Sequence, residues 1–306
     1  MTTLIEGALK ELLAAGYKVL SPLPELVVGA RFSPDVEDTL NILYTDCETT
    51  GVNFFSDEVI EAGLILAKIN AVTGQIIEIL DVYQGLQEPV GTEISEAAHK
   101  VNGLTMADVI GKTIDMERVS HMIAQCDFVC SHNAAFDRQM MEKTMKGLEH
   151  VKFTCSMGEV DWEIQTKKLH YILIELGYHY KAHRALDDAW AGLWALNCLN
   201  SSGVTYMKSL IDNLDQEVID IAALNSPFES KDFLYAQDYK FHDGGYKNKF
   251  WHKVVPEDKL IEECMFLKQV VYAGAHPSTE IRLDRFNRYD RYSKRVTKTN
   301  HLKIML

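Results

Sequence analysis

The chain has 306 residues, of which 47% are hydrophobic and 25% charged, so it is long enough for one large globular domain or two modest ones. Its formal net charge of -13 argues against a general nucleic-acid-binding protein. The sequence contains no apolar run of roughly eighteen residues, and its first residues form neither a basic segment nor a small-residue cleavage site, so we expect a cytoplasmic protein.

The predicted elements begin with a short amphipathic helix over residues 5–16. Prolines end this helix, so residues 1–36 are expected to form an N-terminal helical extension. A strand carrying Asp46 and Glu48 comes next, followed by two strand-like runs with a turn signal between them. Helical segments, a fourth strand and two further helices complete a mixed α/β pattern. The runs after the first strand are 59–69, 75–83, 94–125, 128–130, 168–177 and 184–199.

The rest of the chain is predicted to have three parts. Residues 37–203 form an α/β domain of ordinary size, residues 204–226 form a helical linker, and residues 227–306 form a small α+β module. The charge changes near the last boundary. Residues 1–230 hold 16 Lys and Arg against 34 Asp and Glu, whereas residues 231–306 hold 15 against 10.

The C-terminal module combines aromatic and basic residues. Aromatic rings stack on bases and lysines contact phosphates, so this composition suits a surface that binds nucleic acid. The alternative is that the rings form the core of the module, and both can hold together. The residues concerned are Tyr235, Tyr239, Phe241, Tyr246, Phe250 and Trp251, with Lys240, Lys247, Lys249 and Lys253, and a basic run from Arg285 to Lys303.

Two carboxylates lie one residue apart in the first strand. Alternation along a strand sends Asp46 and Glu48 to one face and Cys47 to the other, where we expect a small buried apolar residue. Like charges in a partly buried site are costly to ionise, and a divalent metal ion between them offsets that cost. The alternative is a strand end at which both acids reach water, and the two acids alone do not decide the matter.

Two later segments add acids and a histidine. Asn133 is expected to cap the helix after the fourth strand, which places Asp137 one turn into that helix, facing the end of the strand. His183 precedes the last helix and Asp188 lies inside it, with Asp187 as a rival for the same role. Acids are common in first helical turns because of the helix dipole, so each segment by itself is weak evidence for a site.

Together the three segments form an ordered pattern. D-x-E on a first strand, N-x-x-F-D on a later helix and H-x-A-x-x-D at a last helix resemble the DEDDh, or DnaQ-like, 3′–5′ exonucleases, including the DNA polymerase III epsilon-type proofreading enzymes. The match covers residues 40–200, and its spacing favours Asp188 over Asp187. Looser similarity in the flanks points to a bacterial single-chain subgroup with a C-terminal extension. Supporting segments are 49–51, 58–61 and 102–105.

The resemblance implies both a fold and a reaction. The fold is α/β, with a ribonuclease H-like mixed β-sheet flanked by helices. The reaction is hydrolysis of phosphodiester bonds from the 3′ end of DNA to nucleoside 5′-monophosphates, with two divalent metal ions, Mg²⁺ or Mn²⁺, as cofactors. Four carboxylates suit these ions, which prefer oxygen ligands.

The resemblance also implies a role for each of five residues. Asp46 binds both ions. Glu48 and Asp188 hold the ion on the side of the attacking water, and Asp137 holds the other ion. His183 is the general base that takes the proton from this water, a role that suits the near-neutral pKa of histidine.

Residues next to these motifs are predicted to contact the substrate. The resemblance implies that the residues after D-x-E line the pocket for the terminal nucleotide, and that residues 102–104 form a loop that wedges the last base. Phe136 either stacks on a base or packs in the core, and the core is the more common place for such a ring. The predicted contacts are Thr49, Thr50, Asn102, Gly103, Leu104, Asn133 and Phe136.

Two alternatives stay open. An exoribonuclease that trims RNA 3′ ends has the same catalytic residues, since nothing between Asp46 and Asp188 distinguishes deoxyribose from ribose. A non-catalytic module that recruits a polymerase can keep the same fold, but the intact set of four acids and one histidine counts against it. We therefore expect a nucleic acid with a free 3′ end as the partner, DNA in preference, in DNA repair or proofreading. A DNA polymerase or another repair protein is a further expected partner, and a membrane is not.

Overall fold

The computed structural model describes residues 2–243, 249–273 and 280–303, with side chains from residue 7 onward. The chain folds into two compact units, Met1–Leu214 and Asp215–Leu306, each with its own sheet. Among the described residues, no helix is both long enough and apolar enough to cross a membrane.

The first unit contains a five-stranded sheet flanked by helices, and a short two-stranded pair. Its strands are β1 (Ser21–Pro22), β2 (Thr39–Thr49), β3 (Val59–Asn70), β4 (Ile76–Leu86), β5 (Phe128–Ser131), β6 (Lys152–Cys155) and β7 (Tyr178–His179). Its helices are α1 (Thr2–Ala14), α2 (Glu96–Asn102), α3 (Met106–Val109), α4 (Met116–Gln125), α5 (Ala134–Met141), α6 (Ser156–Glu159), α7 (Leu169–Glu175), α8 (Ala185–Asn197) and α9 (Met207–Asp212).

The order of strands in the larger sheet is β4-β3-β2-β5-β6. Strands β2, β3 and β4 form an antiparallel meander, which confirms the three consecutive strands predicted from the sequence. Strands β5 and β6 run parallel to β2, so β3 is the one strand of this sheet that runs against the others. This mixed sheet with flanking helices is the ribonuclease H-like fold that was expected. Strand β6 and the β1–β7 pair were not predicted.

The N-terminal extension is helical only over α1. The chain after it is extended and packs onto the rest of the first unit. Ser21 pairs with Tyr178 in the β1–β7 pair, and the Phe32 amide donates a hydrogen bond to the Ile77 carbonyl at 3.0 Å. The indole of Trp190 donates to the carbonyl of Pro24 at 2.8 Å. These contacts hold residues 21–32 against the sheet and α8.

Helix α8 packs against β2 and β3 at the centre of the core. Its apolar side chains, among them Trp190 and Leu193, are buried together with Tyr44 of β2. The helix comes close to the sheet at Gly63 of β3, where an added Cβ would lie 2.4 Å from the carbonyl carbon of Ala185. The absence of a side chain at Gly63 therefore allows the first turn of α8 to lie directly on the strand.

The second unit is an antiparallel sheet with the order β12-β11-β8-β10-β9. Alternate residues of its central strand, including Ile219 and Ile221, are buried with side chains of the helices, such as Leu234. The predicted small α+β module is thus present as a sheet with helices. Its strands are β8 (Val218–Ala223), β9 (Lys240–Asp243), β10 (Lys249–Pro256), β11 (Glu280–Phe286) and β12 (Lys298–Lys303), and its helices are α10 (Lys231–Ala236) and α11 (Leu260–Phe266).

The helical linker predicted over 204–226 is only partly helical. Helix α9 ends at Asp212, and Val218–Ala223 is the central strand of the second sheet, so the prediction of a helix is wrong for these residues. The apolar residues of this segment follow a helical spacing that runs on past α9. Pairing of β8 with β10 on one side and β11 on the other decides its conformation, and this pairing is not visible in the local sequence. The two compact units accordingly divide between Leu214 and Asp215.

Some of the predicted aromatic residues of the second unit lie in its core and others lie at its surface. Tyr239 is buried and Trp251 packs against the core, as the core alternative requires. Tyr235 is exposed, and the ring of Phe250 lies under the guanidinium of Arg282 at 4.6 Å. Contact of this unit with nucleic acid stays a prediction. Of the residues in the pattern, Tyr246 and Lys247 lie outside the described residues.

Candidate active site

The two acids of the D-x-E motif lie near the C-terminal end of β2, the middle strand of the sheet. In the pairing of β2 with β3, Asp46 lies opposite Gly63 and Glu48 lies opposite Glu61. Because Gly63 has no side chain, space is left beside Asp46 for the start of α8. A β-bulge follows Glu48, as the register shifts between Glu48 and Thr49.

Asp188 reaches the same place from the first turn of α8. Its Oδ1 accepts a hydrogen bond from the hydroxyl of Tyr180 at 2.7 Å, and its Oδ2 accepts one from the backbone N–H of His183 at 2.6 Å. Ligand oxygens of Asp46, Glu48 and Asp188 all lie within 4.8 Å of one another. We refer to these three residues as the carboxylate group. The structure thus brings together three of the four predicted metal ligands at one point.

Asp137, the fourth predicted ligand, lies close by but is not part of the carboxylate group. It is buried in the first turn of α5, as the sequence pattern places it. The thiol of Cys47 donates a hydrogen bond to its Oδ1 at 3.6 Å. Cys47 is buried, as expected, but alternation along β2 did not predict that its thiol contacts another acid of the motif set. Helix α5 follows β5 and contacts β2, so Asp137 lies beside the end of β2, where its charge also raises the pKa of Asp46.

Burial and mutual repulsion raise the pKa values of these acids. Burial raises the pKa of Asp46 well above its usual range, and the neighbouring carboxylates of Asp137 and Asp188 raise it further. Burial raises the pKa of Glu48 to about 7 and that of Asp137 to about 7. The pKa of Asp188 is also raised, mainly by burial, although its two hydrogen bonds oppose the shift. A cation at this point would stabilise the ionised forms.

The residues present fit a divalent metal ion. All donor atoms of the carboxylate group are oxygens, which hard ions such as Mg²⁺ and Mn²⁺ prefer. Within the part of the chain that the structure describes, neither Lys nor Arg forms an ion pair with these acids or with Asp137. The negative charge of the site is therefore not balanced by a side chain of that kind.

Asp187, the rival of Asp188, is placed differently. It is exposed and lines a separate cleft with Tyr180 and Lys181 on the outer side of the loop before α8. The geometry therefore favours Asp188 over Asp187, as the spacing of the motif does.

His183 lies in the loop that leads into α8. Its side chain is exposed, and its backbone is in the left-handed region with a φ of 74°, which is uncommon for a residue other than glycine. His183 and Asp188 line a cleft of about 880 Å³. The other lining residues are His132, Asn133, Met157, Gln165, Thr166, Lys167, Lys168, Leu169, His170, Tyr171, Tyr180 and Ala182.

The two threonines after D-x-E, which were predicted to contact substrate, bond within their own loop. Thr49 donates to the carbonyl of Gly51 at 2.6 Å, and Thr50 donates to the carboxylate of Asp57 at 3.1 Å. Thr50 also accepts a hydrogen bond from the amide of Glu58 at 3.0 Å. Their hydroxyls therefore shape the loop beside the carboxylate group.

Residues 102–104 are mostly buried. Asn102 hydrogen-bonds Glu48, which lowers the pKa of that acid against the larger effect of burial, and it accepts from the Leu104 amide at 2.9 Å. Gly103 ends α2 with a φ of 72°. Leu104 is 5% exposed and packs with Ile60. A role of Leu104 as a wedge for a base is not supported by this position, whereas Asn102 is placed to orient Glu48.

Asn133 and Phe136 lie near the start of α5. Asn133 is exposed at the N-terminus of the helix and lines the cleft with His183. Phe136 is half-buried, and its ring lies against that of Phe54 with a centroid distance of 5.5 Å. The ring of Phe136 is therefore partly packed against Phe54 and partly accessible to solvent.

Several residues that shape the site were not predicted from the sequence. Tyr180 holds Asp188, and Arg184 forms an ion pair with the buried Glu61. Glu61 was noticed only as part of a supporting segment. Tyr180 carries no local signal, because its role depends on a turn that brings it back onto α8.

Similarity to known proteins is found among solved structures and is weak. No protein-family model matches the sequence, and no curated protein sequence matches it. Similar solved structures include a full-length 3′-exonuclease, 17% identical with a TM-score of 0.37, covering 56% of this chain and 61% of that one. The zinc-bound form of Escherichia coli exonuclease I with single-stranded DNA is 10% identical with a TM-score of 0.48, covering 71% and 63%.

A third solved structure, of 3′-end-specific recognition of a histone mRNA stem-loop by a 3′-exonuclease, is 17% identical with a TM-score of 0.39, covering 58% of this chain and 83% of that one. The chain covers 61% and 63% of the first two of these proteins, which is less than two thirds of the length of each. Identities this low leave the chemistry of the site to be judged from its own residues.

Proposed function

We propose that this protein is a metal-dependent 3′–5′ exonuclease that releases nucleoside 5′-monophosphates from the 3′ end of DNA. The observation that carries the proposal is the carboxylate group at the end of the middle strand, with His183 at its edge. The order of these residues along the chain is also that of the DEDDh pattern. Clustered, partly buried acids beside an exposed histidine suit metal-assisted hydrolysis of an anionic substrate.

The acids have the proposed role of holding two divalent ions. Asp46, Glu48 and Asp188 hold one of them, and Asp137 holds the second together with Asp46. Such ions, when bound, lower the pKa of a coordinated water and stabilise the leaving 3′ oxygen of a phosphodiester. The protein fixes the acids in place beforehand through the Tyr180 hydroxyl and the His183 amide, which both bind Asp188.

His183 is the proposed general base. Its neutral imidazole takes the proton of the attacking water at a ring nitrogen and returns it to solvent, to which the side chain is exposed. The Asp188 carboxylate faces the His183 backbone, so the base and a proposed metal ligand are held in one fixed unit.

The cleft beside His183 is the proposed place of the substrate strand. Lys167 and Lys168 line it, and Asp188 is its one acidic lining residue within the described chain. The first unit as a whole has 16 Lys and Arg against 30 Asp and Glu, so these lysines give the cleft a local positive charge that favours a polyanion. DNA is favoured over RNA, in repair or proofreading, because the sequence pattern resembles that of proofreading enzymes.

The test uses the full chain with single-stranded oligonucleotides labelled at the 3′ or the 5′ end. In Mg²⁺ or Mn²⁺ we expect immediate release of labelled nucleoside 5′-monophosphate from the 3′-labelled DNA and a shortening ladder from the 5′-labelled DNA. RNA of the same sequence, and duplex DNA with a mismatched 3′ end, define the substrate. Faster cleavage of RNA would replace the DNA assignment by the exoribonuclease alternative.

Adjacent acids on α8 provide a matched control. Asp188→Asn is expected to reduce turnover by roughly a thousandfold, because a proposed metal ligand is lost. Asp187→Asn removes one charge from the position before Asp188 and is expected to leave turnover unchanged, since Asp187 lies outside the carboxylate group. Equal effects of the two substitutions, or full activity in excess chelator, would overturn the proposed function.

A further inference from the structure

A fifth carboxylate lies next to the carboxylate group. Glu61 is on β3, directly opposite Glu48, and its side chain is completely buried. A buried acid at this position is costly in an already negative site unless its charge is balanced. Its surroundings therefore decide whether it belongs to the metal site or serves another purpose.

Both oxygens of Glu61 are occupied by donors of the protein. The guanidinium of Arg184 donates to Oε1 from Nη2 at 2.6 Å and to Oε2 from Nε at 3.0 Å. Gln84 donates to Oε1 at 2.7 Å, and the backbone N–H of Ala185 donates to Oε2 at 3.3 Å. Glu61 is thus charge-balanced and saturated, in contrast to the carboxylate group, and is not available as a metal ligand.

Two of the partners of Glu61, Arg184 and Ala185, immediately follow the proposed base in the sequence. Arg184 and Ala185 are held by Glu61 from the side of the sheet, while the amide of His183 is held by Asp188 from the side of the helix. Gly63, two residues along the strand, leaves the space in which this turn lies. The three residues are therefore fixed from two sides.

The backbone conformation of His183 depends on these contacts. Its φ of 74° is unfavourable for a side chain with a Cβ and persists only where neighbouring contacts impose it. The bidentate ion pair is the strongest contact on the C-terminal side of His183, since two parallel hydrogen bonds fix both distance and orientation. Loss of the pair would let the loop relax to an ordinary conformation and carry the imidazole away.

We propose that Glu61 and Arg184 are a positioning pair that fixes the His183 loop over the carboxylate group. The effect of the pair on turnover rests on the proposed function, whereas its effect on the conformation of residues 183–185 does not. The pair touches neither the substrate nor a metal ion in this proposal, so binding of metal is left intact when both members are replaced together.

The test replaces both members at once, because removing one leaves the other as an unbalanced charge. Glu61→Leu with Arg184→Met keeps similar volumes in an apolar form. We expect turnover to fall by about 10- to 100-fold with KM and Mn²⁺ affinity unchanged, as a displaced catalytic group lowers the rate and not the binding. Arg184→Lys alone keeps one donor and the charge, and is expected to retain more turnover than the double variant.

Hydrogen exchange supplies a readout that needs no activity. The peptide that covers residues 183–185 is expected to exchange faster in the double variant than in the wild type, without a matching change in the peptides of β2. The control replaces an ion pair of the same unit that is distant in sequence from the loop, with Asp81→Asn and Arg118→Met. This variant should keep both wild-type turnover and wild-type exchange at 183–185.

The outcomes separate the two proposals. Faster exchange at 183–185 in the double variant, together with a wild type that shows no nuclease activity, would uphold the positioning pair and reject the exonuclease. Wild-type turnover and exchange in the double variant would overturn the positioning pair and leave the exonuclease standing. Loss of Mn²⁺ affinity together with turnover would also overturn it, because the pair would then maintain the metal site and not the histidine.

Discussion

Acids with little exposure occur in both units, but they are paired differently. In the second unit each of three such acids has a basic residue as its partner: Asp220 is hydrogen-bonded to the imidazole of His252, Glu263 forms an ion pair with Lys253, and Asp284 forms one with Arg282. In the first unit the carboxylate group and Asp137 are bound by a hydroxyl, an amide and a thiol, which are neutral donors. The acids of the second unit have basic partners within the fold, whereas the carboxylate group and Asp137 need an added cation to balance their charge.

The first unit contains its own example of the paired kind. Glu61 lies opposite Glu48 across one strand pairing, yet Arg184 balances its charge fully. These two acids lie opposite each other in the sheet, but the charge of fully buried Glu61 is balanced by the protein and that of partly buried Glu48 is not. The comparison predicts that substitutions at unpaired acids change activity more than stability. Substitutions at paired acids are expected to change stability more than activity, or to lower activity by moving a catalytic residue.

The largest expected effect is that of removing an unpaired acid. Asp46→Asn should reduce turnover by roughly a thousandfold, because Asp46 is the proposed ligand of both ions. The same change should not lower the free energy of unfolding in chelator, since it relieves repulsion among buried carboxylates. Asp220→Asn in the second unit is the matched change at a paired acid and should leave turnover intact. Comparable losses of turnover in the two variants would break the distinction.

The next effect concerns a paired acid that loses its partner. Arg184→Ala leaves Glu61 buried without a counter-charge and should lower the free energy of unfolding by about 3 kcal/mol. Asp188→Asn removes charge from a crowded site and should not lower it. The free energy of unfolding of both variants can be measured by urea denaturation in chelator. A greater loss of stability in Asp188→Asn than in Arg184→Ala would contradict the comparison.

Divalent ions should stabilise the first unit through the unpaired acids. Mg²⁺ at a hundred times its dissociation constant is expected to raise the free energy of unfolding by about 2.7 kcal/mol for each ion bound, since the ion binds the folded chain. Chelator should reverse the gain, and Asp46→Asn should abolish it. A gain of equal size in Asp46→Asn would show that the ion binds elsewhere.

The last effect is a dependence of stability on pH in the metal-free protein. Burial raises the pKa of Glu48 from 4.5 to about 7 in the folded chain, so the folded state holds a proton there that the unfolded state has lost. Asp137 is shifted in the same direction, also to about 7. Stability should therefore fall as pH rises from about 4.5 to 7. Thermal unfolding at pH 5 and pH 7.5 in chelator tests this, and Mg²⁺ should reduce the difference.

The sequence predicts those parts of the fold in which local pattern and tertiary structure agree. Strands β2, β3 and β4 have long runs of apolar residues with a turn signal between β3 and β4, and all three were predicted in order. The segment around Val218–Ala223 has apolar residues at helical spacing, and its strand conformation is decided by two neighbouring strands that are more than 25 residues away. Local pattern carries no information about such pairing.

The same limit applies to the site. The resemblance of the three motifs to the DEDDh pattern implied that Asp46, Glu48 and Asp188 lie together, and the structure places their oxygens within 4.8 Å of one another. The contact of Cys47 with Asp137 was not predicted, because alternation describes one strand and not the helix that packs beside it. The pairing of Glu61 with Arg184 joins residues 123 positions apart and likewise has no local signal.

Titration of the metal-free protein with Mn²⁺, with bound ions counted by calorimetry or electron paramagnetic resonance, tests most directly the claim that the unpaired acids need a cation. We predict that the wild type binds two ions per chain, that Asp46→Asn binds neither with comparable affinity, and that Asp187→Asn binds both. Binding that is absent from the wild type, or that is unchanged in Asp46→Asn, would contradict the account.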